Sequence, residues 1–181
     1  HSARGFVKAF LEEQVAVPVV IRVGGNSEDK AVEILEWLNG WVPAPVEGYR
    51  KDDAPDYCAM RLDSLIKEGK LIEPKQRPVP ERSGDENLYQ FETVTGGTIT
   101  YDHSICATCE TKICIQECAR QILSLNDQGL PELNISHEEA KKGRCVECLA
   151  CEVDCRFKGA GGGRIELPIP GMDEHLTGAE G

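Results

Sequence analysis

Hydrophobic positions recur along this chain in two rhythms, a helical one in the first third and a shorter, alternating one in the second half. Residues 3–13, ARGFVKAFLEE, set Phe6, Val7, Phe10 and Leu11 along one side of a helix. The run Val17 to Val23 is short, β-branched and apolar, the pattern of a strand covered on both faces of a parallel sheet. Gly24 and Gly25 break it. Asn26 or Ser27 then caps a helix that turns Ala31, Leu35 and Leu38 inward and stops at Gly40. An extended piece marked by Pro43 and Pro45 follows. Asp53 with Pro55 opens a third helix, which carries Cys58, Leu62, Leu65 and Ile66 on one face.

Residues 70–92 mix prolines with charges of both signs and show no sustained period, which predicts a linker. Within it, Glu86 to Phe91 resembles a protease recognition sequence with two residues exchanged and is read as native chain. Beyond Thr93 the pattern shortens. Thr98 to Tyr101 alternates like a strand, and Ile122 to Leu125 with Leu130 to Leu133 flank Asn126–Asp127–Gln128–Gly129 as a hairpin. Ser136 and Glu139 form a capping-box pattern for a short helix ending at Gly143, and Arg164 to Ile169 reads as a last strand able to pair with the first. The glycine run from Gly159 to Gly163 lacks the Lys-Ser/Thr of a phosphate loop and is expected to be a flexible lead into that strand.

Composition separates the two parts further. The tryptophans fall in the first third, whereas eight of the nine cysteines fall between residues 106 and 155. A formal charge of -11 and an isoelectric point near 4.9 argue against nucleic acid, which needs concentrated positive potential. No apolar stretch approaches the length of a membrane span. These features predict a cytoplasmic chain without direct membrane insertion. The chain opens at His1 rather than a methionine, so it is expected to be processed, truncated or incompletely represented.

The cysteines carry the chemistry. Cys106, Cys109, Cys114 and Cys118 follow C-x2-C-x4-C-x3-C, and Cys145, Cys148, Cys151 and Cys155 follow C-x2-C-x2-C-x3-C. The second spacing is that of thiolates wrapping an iron–sulfur cube, and soft ligands on short loops suit that task. Zinc prefers two C-x2-C pairs closing one tetrahedron and gains nothing from a crowded third and fourth cysteine. A disulfide framework would need an oxidising compartment and a signal peptide, neither of which the chain announces. Cys58 stands on a helix stripe and reads as a packed core thiol. His103 reads as a solvated loop histidine, and His1, His137 and His175 as exposed. There is no Ser-His-Asp or paired-carboxylate constellation.

Two resemblances add to this. Gly5 to Leu35, with a weaker continuation through Asp52 to Leu62, resembles the end of the C-terminal flavodoxin-like domain of succinyl-CoA synthetase β subunits and related nucleotide-forming acyl-CoA ligases. That likeness implies an anion-facing helix start at Gly5, Phe6 and Val7, and a second amide-lined turn at Gly24, Gly25 and Asn26. The ligase's nucleotide-binding half, its earlier strands and its phosphohistidine are absent from the chain.

The order strand, cysteine run, hairpin, helix, cysteine run, strand resembles the bacterial two-cluster ferredoxin. The resemblance implies crossed ligation of two 4Fe-4S clusters: Cys106, Cys109, Cys114 and Cys155 on one, and Cys145, Cys148, Cys151 and Cys118 on the other. The four-residue gap in the first run is a departure from the family, as are Ala119 and Arg156, which stand where proline follows the fourth cysteine. Arg156 either favours the reduced form of a cluster or pairs with Asp154 at the surface, and the surface pair is expected. The chain is thus expected to combine α/β and α+β parts. A partial flavodoxin-like segment over 1–69 and a linker over 70–92 lead to a βαββαβ ferredoxin-like domain over 93–172, with a tail over 173–181. It is expected to act as an electron-transfer subunit in a hetero-oligomeric redox or CoA-ligase-like complex, with catalysis in partner subunits. The alternative is a subunit of an acyl-CoA synthetase in which the clusters are structural or sensory.

Overall fold

Helices and short strands are interspersed along the computed structural model, which describes residues 2–75, 81 and 83–168. The protein is mixed α/β and falls into two compact units, residues 1–79 and 80–181. Among the described residues no helix is long and apolar enough to cross a membrane. His1, His175, Ile169 at the end of the expected last strand, and the tail over 173–181 lie outside the described residues.

In the first unit, α1 (Ser2–Glu13) buries Ala3, Val7 and Leu11, one residue per turn at i, i+4 and i+8. Phe6, expected inward, is 42% exposed and leans on Phe10 at 6.0 Å between ring centroids. The narrow stripe is enough because Ala3 lets α1 lie close to its neighbour, and α1 packs against α2 (Glu28–Glu36). From α2 come buried Val32, Ile34 and Leu35, with Leu38 just beyond it; Ala31 is only half-buried. Gly40, at φ 91°, ends this segment as its sequence predicts.

Strand β1 (Val19–Arg22) pairs in parallel with β2 (Val46–Tyr49), and α2 forms the crossover between them. The apolar strand expected to be covered on both faces is not fully buried. Val19, Val20 and Ile21 are half-buried, and Val17 is 63% exposed. Among the described residues β1 bonds to one strand, β2. The loop into β2 is held by Asn39, whose amide donates to the Val46 carbonyl at 2.9 Å and accepts from its N–H at 3.0 Å. On α3 (Pro55–Glu68), Arg61 forks onto Glu47 of β2 through Nε and Nη2 at 2.9 and 2.7 Å. This pairing, together with the Tyr49 hydroxyl at 2.6 Å, holds the Glu47 carboxyl below its ordinary range. Cys58 is buried on α3 with Leu65, as a core thiol should be, whereas Ile66 is 59% exposed.

The second unit is built on a three-stranded antiparallel sheet in the order β3 (Leu88–Glu92), β4 (Thr98–Asp102), β7 (Gly163–Glu166). The pairing of β4 with β7 matches the expected first and last strands. Strand β3 departs from expectation, because Leu88–Glu92 reads as linker in the sequence. It carries buried Phe91 opposite Ile99, so Glu86 to Phe91 is an integral part of the fold. With a strand on each side, β4 is central, and Ile99, Thr100, Tyr101 and Asp102 are all buried. The hairpin of β5 (Leu123–Leu125) and β6 (Pro131–Leu133) forms as the sequence predicts. The Asn126 side-chain oxygen accepts from the N–H groups of Gln128 and Leu130, both at 3.0 Å, and Gly129 turns at φ 74°. Ser136 and Glu139 make a reciprocal capping box at the start of α6 (His137–Glu139), and the wider turn Ala140–Arg144 closes it with Gly143 at φ 97°.

Candidate functional site: two groups of thiols

Each cysteine is placed by a short element that ends at or near it. Helix α4 (His103–Ala107) presents Cys106, and α5 (Ile113–Gln116) presents Cys114. Cys109 sits in the loop between them, and Cys118 lies just after α5. Cys145 and Cys148 precede α7 (Ala150–Lys158), whose first and later turns carry Cys151 and Cys155. None of the nine cysteines forms a disulfide.

Helix α4 is too short to hold itself, and Asp102 fixes its start. The carboxylate is buried and accepts from Ser104 Oγ at 2.6 Å, from the Ser83 N–H and hydroxyl at 2.8 Å, and from the Ser104 N–H at 3.1 Å. Burial alone would raise its pKa; the hydrogen bonds from Ser104, Ser83 and Ile105 override that and hold it at about 2. A carboxylate depressed in the folded state contributes stability that is complete above its ordinary pKa and is lost as pH falls toward 2. Asp102→Asn is therefore expected to lose about 2 kcal/mol relative to the parent protein at neutral pH. Urea unfolding should show that gap closing between about pH 4 and pH 2. A gap constant across this range would show that the Asp102 carboxylate is not what fixes the helix start.

Four thiols gather around Cys106. Burial pushes this thiol up to about 12, and the next contributions are the charges of Cys155, Cys114 and Cys109. Cys114 rises to about 12 by burial and then through Cys155 and Cys109. Cys155, at the far end of the second run, thus stands with the first three cysteines of the first run. Cys109 behaves differently: its partial burial is outweighed by the N–H groups of Lys112, Ala160 and Thr111, with the Thr111 hydroxyl 3.6 Å from the sulfur and donating to the Lys158 carbonyl at 2.9 Å. These donors leave its pKa below the ordinary thiol value.

A second gathering forms around Cys145 and Cys151. Cys145 is raised by burial, opposed by the Glu147 N–H, and raised again by Cys148 and Cys118. Cys151 is raised by burial, lowered by the Tyr101 hydroxyl, and raised by Cys148, Cys145 and Glu152. Cys118, Cys145, Cys148 and Cys151 line one cavity with Phe91, Ile99, Tyr101 and Ile165. Its empty volume is about 380 Å³, part of it open to solvent.

The loops aim their amides at sulfur by adopting left-handed backbone. Lys112 (φ 47°) donates toward Cys109, and Glu147 (φ 49°) toward Cys145. Successive amides turned inward in this way form an anion-accepting concavity. Neither position is glycine, so no residue type flags the conformation in the sequence. Glycine matters instead after α7, where the run expected to be a flexible lead is tightly packed. A Cβ at Gly162 would lie 2.9 Å from Cys106 Sγ, one at Gly159 3.3 Å from Cys155 Sγ, and one at Gly163 2.2 Å from the Cys151 carbonyl oxygen. The run is small because sulfur and backbone pass there.

Other expected features move. His103 is not a solvated loop residue: its ring stacks on Tyr89 at 5.7 Å, and Nε2 lies 3.0 Å from the Pro131 carbonyl. His137 is exposed as the sequence predicts, with Nε2 3.3 Å from the Tyr89 hydroxyl. Asp154 is fully buried, so a solvent-screened surface pair with Arg156 is not its environment. In the first unit, Gly5, Phe6 and Val7 lie within α1. The turn at Gly24, Gly25 and Asn26 is exposed and leads into Glu28 and Asp29. These carboxylates accept from the Lys51 N–H at 3.1 Å and from Arg50 Nε at 2.5 Å, and they oppose an anion at that helix end.

The thiol groups do not have the geometry of a single-ion site. Among the described residues, no group of three or more His, Cys, Asp and Glu side chains is arranged to hold a metal ion. An iron–sulfur core is held by Cys thiolates. The donor chemistry fits such a core. Buried thiols raised by one another's charge are relieved when a cationic centre takes the place of their protons. No protein-family model matches the chain, and the comparisons with curated proteins and with solved structures gave no match.

Proposed function

We propose that the two thiol groups hold two 4Fe-4S clusters and that the chain passes single electrons through them to partner subunits. The observation that supports this reading most is that Cys155 bears on Cys106 and Cys114, while Cys118 lines one cavity with Cys145, Cys148 and Cys151. A zinc module built from local C-x2-C pairs has no reason to trade its last ligands, whereas two cubes wrapped by paired runs do. The clusters would supply one-electron chemistry. The chain's own residues bury the sulfurs and turn amides toward them. In this reading the second unit is a two-cluster ferredoxin-like domain. The first is a partial flavodoxin-like segment serving assembly in a cytoplasmic hetero-oligomer, an assignment supported by its parallel β1–α2–β2 crossover. The acidic start of α2 supplies no support for nucleotide or acyl-CoA chemistry there.

Anaerobically purified protein is expected to contain about eight irons and about eight sulfides per chain. Cys58→Ser should leave that content unchanged, because Cys58 is buried on α3 in the first unit. Stoichiometric zinc in place of iron would end the reading. About four irons would confine it to one group.

A further inference from the structure

The side chain of Tyr101 is fully buried, and among the described residues its hydroxyl has no hydrogen-bond partner. A hydroxyl so placed needs an acceptor. Tyr101 lies on the central strand β4 and lines the cavity of the second thiol group. Its partner across the sheet is Gly163, where a Cβ would stand 3.5 Å from the Tyr101 ring and 2.2 Å from the Cys151 carbonyl. The missing side chain lets the first turn of α7 approach the strand, bringing Cys151 against the tyrosine.

Hydrogen bonds to cluster sulfur stabilise the electron-rich reduced form and raise the potential.

We propose that Tyr101 is a positioning residue for electron transfer: its buried hydroxyl, which has no partner among the described residues, donates to sulfur at the second thiol group and raises the potential of the cluster held there. This rests on the cluster reading above.

The test is Tyr101→Phe in the full chain, with both potentials followed by a redox titration monitored by electron paramagnetic resonance. The cluster retained in Cys155→Ser is assigned as the second. The expected result is a tenfold loss in the one-electron reduction equilibrium of that cluster, equivalent to about 59 mV more negative, with a smaller change at the other. In deuterated buffer, the reduced second cluster of the parent protein should show a strongly coupled exchangeable deuteron that the Phe variant lacks. Replacement of Tyr101 by 3-fluorotyrosine keeps the shape and strengthens the donor. It should shift the same cluster in the opposite direction, which a purely steric role would not do, and it serves if the Phe variant misfolds. Eight irons with unchanged or equally shifted potentials would overturn this inference alone. A protein without iron would overturn the cluster reading and this inference with it.

Discussion

Cys155→Ser is expected to remove the iron held by Cys106, Cys109 and Cys114, leaving about four irons bound by the other group. The serine lies far along the sequence from the site it empties. Cys155 is 4% exposed on α7, and its charge is the first among the neighbouring thiols acting on both Cys106 and Cys114. An alcohol there would leave three thiolates around a core that needs four, inside a pocket where water cannot readily supply the missing ligand. Cys118→Ser should do the converse and empty the group of Cys145, Cys148 and Cys151, because Cys118 lines their cavity. Iron and sulfide analysis, with the resonance spectrum of the remaining cluster, reads both outcomes. If each substitution struck the cluster of its own run, the crossed arrangement would be wrong.

The proposed crossing rests, in the sequence, on resemblance alone, since spacing by itself says that four cysteines cooperate and not which four. The elements around it are more legible. The hairpin at Asn126 to Gly129, the capping box at Ser136 and Glu139, and the pairing of the first and last strands each follow from a local rule in which one interaction prevails. The failures share a different cause. Leu88–Glu92 reads as linker because its neighbours are proline and charge, but Phe91 finds Ile99 across the sheet, and that nonlocal contact outweighs local composition. The glycines from 159 to 163 read as flexibility because packing against sulfur leaves no trace in a one-dimensional pattern. Tyr101 alternates like any strand residue. The setting of its hydroxyl depends on what α7 brings to the other side of the strand.

The same contrast between local and nonlocal interactions explains the first unit, where the sequence predicts a sheet interior and the structure provides only half of one. A fragment covering residues 1–75 is expected to be aggregated or largely unfolded when expressed alone. Its sheet consists of β1 and β2, and a two-stranded sheet is marginal in water without further strands or a well-packed helical layer on each face. Among the described residues β1 has no second strand, although Val19, Val20 and Ile21 are the kind of residues that parallel sheets bury on both faces. Those three are only half-buried, with Val17 at 63% and Phe6 at 42% exposed nearby in sequence. An open, apolar parallel edge pairs readily with another chain. The core that opposes this is small: α1 contributes Ala3, Val7 and Leu11, α2 and the chain after it Val32, Ile34, Leu35, Leu38, Val42 and Ala44, β2 Val46, and α3 Cys58 and Leu65. A segment of this length buries only about 60% of the surface that its unfolded chain exposes, which leaves little margin for an unpaired interior strand. Supplying a further parallel strand, from a partner subunit or from additional chain, should convert the fragment to a monodisperse, cooperatively melting species. Circular dichroism melts and light scattering, with and without the candidate partner, would register the change. A monomeric fragment that melts cooperatively alone, with dispersed amide resonances, would show that α1, α2 and α3 suffice and that the edge of β1 needs no partner.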